Sequence, residues 1–153
     1  MKTRYATIDD VPVISKMYED FFEYHAGLQP LYYKAAEEHG NYPEYIIKSE
    51  TDDLIIAEYD GNIAGFVHVL ETKTEPYECI VQNKYAVCVD LYTSPEYRRR
   101  GVGTSLINAM KEWAINRNLK FIQLNVLAEN ENAIKFYENG NFQTTAYNMK
   151  CPL

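Results

Sequence analysis

The run Arg98-Arg99-Arg100-Gly101-Val102-Gly103-Thr104-Ser105 is where residue types and spacing first suggest chemistry. The segment before it is strand-like until Pro95, and the segment after it carries apolar residues at helical spacing, so the two glycines open a helix. A first helical turn presents unpaired backbone N–H groups and the positive end of the helix dipole. Glycine there leaves no Cβ to block an approaching phosphate. Arg98, Arg99 and Arg100 add charge, and Thr104 and Ser105 add hydroxyl donors. The stretch reads as an anion site with capacity for more than one phosphate. A tight turn beside a solvated arginine face is the competing reading. Against it, each glycine costs roughly 0.5–1 kcal/mol relative to alanine inside a helix, and adjacent arginines repel one another unless an anion joins them. A P-loop string is absent. The fingerprint G-x-G-x-x-G would need glycine at 106, where Leu106 stands.

The chain around this turn has 153 residues and a formal charge of −7, which suits a single domain over residues 1–153 with one core. An acidic chain is poorly suited to neutralising nucleic-acid phosphates and weakly favours a cationic partner. No apolar run approaches the roughly 18 residues of a membrane span. Met1-Lys2-Thr3-Arg4-Tyr5 leads into mixed polar sequence without an apolar signal core. A cytoplasmic protein is therefore expected, with neither nucleic acid nor membrane as partner. Cys79, Cys88 and Cys151 are odd in number and widely separated, and His25, His39 and His68 lack helical ligand spacing. Neither a disulfide framework nor a metal is expected.

The elements that must position the turn can be read from periodicity. Lys2–Ala6 forms a short strand. Thr7 with Asp10 caps a helix that carries Val11, Ile14, Tyr18, Phe21 and Phe22 and runs to about His25. A less regular helical region follows to about Ser49, with Pro43 able to start a last turn. Strands over residues 54–59 and 63–70 flank the hairpin turn Asp60-Gly61, and Tyr85–Tyr92 is a third long strand. A helix spans Val102–Asn116 with Leu106, Met110, Trp113 and Ala114 on one face. Phe121–Leu127 is a strand, Asn130–Asn139 a short helix, and Phe142–Lys150 a final strand. The order predicts an α/β (α+β) protein: a mixed, mostly antiparallel central sheet with helices on both faces. The crossover through Val102–Asn116 makes one parallel pair.

Arg-x-x-Gly-x-Gly at Arg98–Gly103 resembles the cofactor signature of the Gcn5-related N-acetyltransferase (GNAT) family. Asn130-Glu131-Asn132-Ala133-Ile134-Lys135-Phe136-Tyr137 is similar to that family's second signature. Ile56-Ala57-Glu58 with Asp60-Gly61-Asn62-Ile63-Ala64-Gly65-Phe66 is similar to its central hairpin, and Tyr5-Ala6-Thr7-Ile8-Asp9-Asp10 to its opening. The likeness covers the whole chain in order.

The resemblance implies an acyl-CoA N-acyltransferase fold and acetyl-CoA as cosubstrate, with pantetheine lying where the strands at 85–92 and 121–127 splay apart. It implies cofactor contacts from Leu91, Tyr92 and Thr93, from Arg98, Arg99, Arg100, Gly101, Val102, Gly103, Thr104 and Ser105 around the pyrophosphate, and from Asn130, Ala133, Phe136 and Tyr137. The Leu91 amide would face the acetyl carbonyl and stabilise its developing charge. Tyr137 would be the general acid for the departing thiolate, against the reading of an ordinary core aromatic. The base is open. The family's glutamate position falls on Val87, so Asp90 is the nearest carboxylate, with His68, Glu71 and water as alternatives. Asn141 replaces a common glycine, and asparagine's tolerance of left-handed backbone should preserve the turn.

The acceptor is expected to be an amine, set by the first helices and the 72–83 loop. The first helices hold Tyr18, Phe21, Phe22, Tyr24, His25, Tyr32 and Tyr33 with Glu19, Asp20, Glu23, Glu37 and Glu38. Core aromatics with solvated acids are the competing reading. A homodimer is allowed for, since pairing is frequent in the family. A non-catalytic coenzyme A sensor and an acetyltransferase of protein lysines or N-termini are the rival functions.

Overall fold

The computed structural model describes residues 1–153. A five-stranded sheet in the order β1-β2-β3-β4-β5 is built from β1 (Lys2–Tyr5), β2 (Asp52–Tyr59), β3 (Asn62–Lys73), β4 (Lys84–Thr93) and β5 (Ile122–Leu124). The first four strands are antiparallel, and β4 with β5 is the expected parallel pair. The helices are α1 (Val11–Leu28), α2 (Asn41–Lys48), α3 (Val102–Asn116) and α4 (Glu131–Asn139). None is long and apolar enough to cross a membrane.

Alternation along β2 and β3 divides the interior in two. Ile55, Ala57, Val67 and Val69 face α3, where Val102, Leu106, Met110 and Trp113 are buried. Leu54, Ile56 and Phe66 face α1 and α2, with Ile14, Tyr18 and Ile46. Tyr18 and Phe66 are fully buried, their ring centroids 4.5 Å apart. Burying each such side chain stabilises the fold by about 1.5–3 kcal/mol. The entry to α1 is fixed by Asp10, whose carboxylate accepts from the Thr7 N–H at 2.7 Å and from Arg4 at 2.7 and 2.9 Å. Those contacts with Arg4 hold its carboxyl down at about 2.

Three expectations need correction. The first helix runs beyond His25 to Leu28, but residues 30–40 form no helix. The strand expected over 121–127 is paired only at Ile122–Leu124. The final strand expected over Phe142–Lys150 does not form. Phe142 packs beside Tyr137, and the chain beyond it joins no strand, with Tyr147 88% and Met149 90% exposed and Lys150 set over the Tyr32 ring. That segment has strand-forming residues but no neighbour to pair with, and propensity alone does not make a strand. The Asp60-Gly61 turn forms as read, with positive φ at both residues. Asn141 takes the expected left-handed backbone (φ 66°).

Candidate active site

The backbone from Arg99 to Thr104 makes a concave row of amides. Arg99 (φ 60°) and Gly101 (φ 84°) adopt left-handed backbone. No N–H from Arg99 to Thr104 donates a hydrogen bond inside the protein, and the α3 ladder starts at Ser105 N–H to Gly101 C=O, 3.0 Å. Left-handed residues alternating with others turn successive N–H groups toward one side, a shape that binds anions, and the α3 dipole adds to it. A non-glycine residue at positive φ is uncommon, so Arg99 marks a turn whose shape matters more than its local comfort.

The three arginines differ. Arg98 donates its Nε to the Thr93 carbonyl at 3.1 Å and its own N–H to Pro95, so it braces the loop. Arg100 lies over the Tyr59 ring, 5.7 Å from its centroid, and Arg99 is exposed. The two glycines also differ. Gly101 is required by its φ. A Cβ on Gly103 would lie 2.9 Å from Phe136 Cζ, so that glycine admits the α4 ring onto the first turn of α3. The phosphate-approach argument therefore applies to Gly101 and not to Gly103. Ser105 has its amide in the helix ladder and sits among Met1, Lys2 and Thr3, beside the turn and not within it. Val102 is buried and offers only its amide.

Next to this turn the sheet opens. Val89 is an extra residue in β4, since His68 pairs with Asp90 but Val69 pairs with Cys88. Such a bulge bends the strand. Pairing of β4 with β5 ends at Cys88–Leu124, which leaves the rest of β4 with a free edge. Ser94 N–H donates to Ala64 C=O at 3.0 Å, and this sets the antiparallel alternation. It follows that Leu91 and Thr93 turn their backbone groups to the open edge, while Tyr92 turns its own toward Phe66. Tyr92 therefore has no backbone group at the open edge. Its hydroxyl instead donates to Asp20 at 3.3 Å, beneath α1.

Tyr137 closes the far side of the gap. Its ring lies between Phe136 and Phe142, at 5.5 and 5.7 Å between centroids, and its hydroxyl has no hydrogen-bond partner. Burial first, then the neighbouring Cys88 and Asp90, pushes its pKa upward, so the phenol keeps its proton. Burial likewise pushes the Cys88 thiol up to about 12, with Asp90 adding to the effect. A thiol held so high is a poor nucleophile at neutral pH. Asn130 uses its side-chain oxygen to cap α4 through Ala133 N–H, 3.3 Å, and to accept from Tyr24 at 3.2 Å. Gln29 donates to Glu129 at 2.7 Å, so the end of α1 bridges to the loop before α4.

Asp90 lies on the α1 side of the bulge. Its Oδ2 accepts from Tyr18 at 3.1 Å and Tyr42 at 3.4 Å and faces His68 Nδ1 at 3.5 Å. His68, and behind it Asp52, belong to the same cluster. Glu71 stands apart, bound to Arg117 and Lys84. Tyr42 and Asp52 carried no sequence signal, because a lone tyrosine before a proline and a lone aspartate opening a strand are ordinary. The 72–83 loop joins the start of β4, and Lys84 is six residues from Asp90, roughly 20 Å along a strand. No group of three His, Cys, Asp or Glu side chains is placed to hold a metal ion.

The model of the Acetyltransferase (GNAT) family matches residues 14–141. The chain is 29% identical over 140 residues to an uncharacterized N-acetyltransferase of Methanocaldococcus jannaschii, a match covering 92% of this chain and 59% of that protein. It is 29% identical over 137 residues to an uncharacterized N-acetyltransferase of Archaeoglobus fulgidus, covering 90% and 89%. It thus spans little more than half of the first relative and nearly all of the second. In fold it is similar to a solved tetramutant of a Bacillus halodurans protein, with a TM-score of 0.94 at 19% identity over the full length of both chains.

Proposed function

The chain belongs to the GNAT acetyltransferase family, and from that premise we propose that it moves the acetyl group of acetyl-CoA to a primary amine by direct attack while both are bound. It is an acyltransferase, and the reading adds the residues and the acceptor. One observation carries it: unpaired amides from Arg99 to Thr104 adjoin an open strand edge that exposes Leu91 and Thr93. The residues fit the cosubstrate, since a diphosphate needs such amides and an extended amide-bearing arm needs such an edge. Acetyl-CoA, when bound, supplies the activated thioester.

In this reading the amides of Gly101, Val102, Gly103 and Thr104 hold the pyrophosphate, with charge from Arg99 and Arg100. The Leu91 N–H donates to the acetyl carbonyl oxygen as charge grows there, an effect strongest where water is excluded. Asp90, held by Tyr18 and Tyr42, takes the proton of the incoming ammonium. Tyr137 donates its proton to the leaving sulfur from the other side of β4. The inert Cys88 disfavours a route through an acetylated cysteine.

A cationic acceptor suits the approach along α1. A hollow there is lined by Glu19, Asp20, Glu23 and Glu37 with Lys16, and Asp20 reaches Tyr92 next to Asp90. The single N-acetyltransferase domain of this reading spans residues 1–153. A homodimer is part of this reading. Three free cysteines suit a reducing cytoplasm.

The test is release of coenzyme A thiol across a panel of small amines and lysine peptides. Turnover on small amines is the expected result. Cofactor binding without turnover on any amine would make the protein a coenzyme A sensor, and turnover on peptides alone would make it a protein-modifying enzyme.

A further inference from the structure

Behind Asp90 runs a row of polar groups that a buried core does not need. His68 is 3% exposed and stands between two carboxylates, with Nε2 2.8 Å from Asp52 Oδ1 and Nδ1 3.5 Å from Asp90 Oδ2. The Tyr42 hydroxyl is 3.3 Å from the same Nδ1. At the outer end, Asp52 Oδ2 accepts from the hydroxyls of Ser49 at 2.7 Å and Thr51 at 2.9 Å, and Thr51 is exposed. A neutral imidazole has one donor and one acceptor nitrogen, and burial requires a partner for each, but it does not require those partners to be carboxylates. Here both ring nitrogens are engaged, and the contacts lead from the gap in the sheet to the surface. Every protein contact to Asp90's carboxylate falls on Oδ2, so Oδ1 is left free.

We propose that His68 and Asp52 are a proton outlet for Asp90, carrying to solvent the proton that Asp90 takes from the acceptor ammonium. This rests on the acetyltransfer reading above and deepens it. An ammonium has no lone pair, so one N–H bond must break before nitrogen can attack. Asp90 Oδ1 takes that proton. Rotation of the Asp90 carboxyl brings this proton to the His68 side, where it passes to His68 Nδ1, directly or through the Tyr42 hydroxyl between them. His68 releases the proton on Nε2 to Asp52 Oδ1, and Asp52 releases it to water near Thr51. Each transfer moves one proton and no electrons. The groups that face this row are Tyr18 on α1, Tyr42 on α2, Cys88 on β4 and Tyr137 on α4, with Glu38 near Tyr42 through its contact to the Tyr42 N–H. Tyr42 also feels the Asp52 charge, and its hydroxyl lies between Asp90 Oδ2 and His68 Nδ1, so it flanks the row at its inner step. His68 and Asp52 are positioning residues, because neither touches substrate.

The test compares wild type with His68→Gln and Asp52→Asn on two acceptors across the alkaline range, an alkylamine titrating at about 10 and an α-amino amide at about 8. At neutral pH both variants should lose about 10- to 100-fold in kcat/KM for the alkylamine, with KM for acetyl-CoA unchanged. The deficit should shrink as pH passes the amine's own pKa, because a free amine needs no deprotonation before attack, and the one N–H proton it loses afterwards is balanced by the proton Tyr137 gives the leaving sulfur. It should shrink earlier for the α-amino amide. A deficit of constant size at every pH and for both amines would overturn the proposal. If His68→Gln unfolds, Asp52→Asn at the outer end and a wild-type solvent deuterium isotope effect on kcat/KM decide. An effect larger below the amine's pKa than above it supports the outlet, and an equal effect in both ranges, or none, overturns it. Absence of turnover by the wild type would instead defeat the acetyltransfer reading itself.

Discussion

The turn at Arg98–Thr104 and the cluster around Asp90 both lie at the C-terminal end of β4 and are made of different material. The turn is contiguous chain, its donors are backbone amides, and its shape is set by φ at Arg99 and Gly101. The cluster is made of side chains from α1, α2, β2, β3 and β4, brought together by sheet register and one bulge. A backbone site tolerates changes of side chain provided the backbone path survives. A side-chain site fails when any member is removed, because a buried polar group loses its partner. The first should therefore govern cofactor affinity, and the second should govern turnover.

The largest expected effect breaks the turn. Gly101→Glu puts a Cβ at positive φ and a carboxylate where phosphate oxygens would sit, so acetyl-CoA affinity should fall by at least about 100-fold, or about 2.7 kcal/mol. Calorimetric titration with coenzyme A measures it, and unchanged affinity would remove the turn from the mechanism. The next effect breaks the cluster. Asp90→Asn keeps size and shape but cannot take a proton, so kcat should drop by about 100-fold or more while coenzyme A affinity stays within about twofold. Equal losses in both quantities would mean that the two regions are not separable.

Tyr137 lies between the regions, and Tyr137→Phe shows to which it belongs. The change removes one oxygen that has no partner in the protein, so stability should hardly change. Turnover should fall about tenfold with cofactor affinity intact. The high phenol pKa has a consequence for pH. A group raised in this way keeps its proton across neutral and mildly alkaline conditions, so no loss of activity from its ionisation should appear below about pH 10. An alkaline fall with midpoint near neutrality that vanishes in Tyr137→Phe would contradict this.

The same division explains what was legible in the sequence. α3 begins and ends where its periodicity and glycines place it, and Asp60-Gly61 makes its hairpin, because both signals lie within a few neighbouring residues. Asn141 keeps the left-handed turn for the same local reason. Tyr42 and Asp52 gave no warning, since their importance comes from meeting His68 across the sheet. The order of contacts depends on Val89 being skipped, which no pattern in β4 announces. The missing strand at Phe142–Lys150 shows the converse: strand-forming residues are a local property, while a strand requires a partner.

The smallest effect tests the finer contrast between the two glycines. Gly103→Ala should gain up to about 1 kcal/mol from helix propensity and lose about 1–3 kcal/mol from the new Cβ pressing on Phe136. Phe136 Cζ is 2.9 Å from that Cβ position and belongs to a ring tip that can tilt. A tilt would carry Tyr137, its neighbour on α4, away from the gap. The expected outcome is a Tm lower by a few degrees and a few-fold loss in kcat, with acetyl-CoA affinity little changed. Phe136→Leu in the same chain should recover part of both losses by vacating the contact. If Gly103→Ala instead weakens cofactor binding at unchanged Tm, and Phe136→Leu recovers nothing, then Gly103 serves the phosphate side of the turn. α4 would then owe its position to the cap at Asn130 and the contact with Phe142.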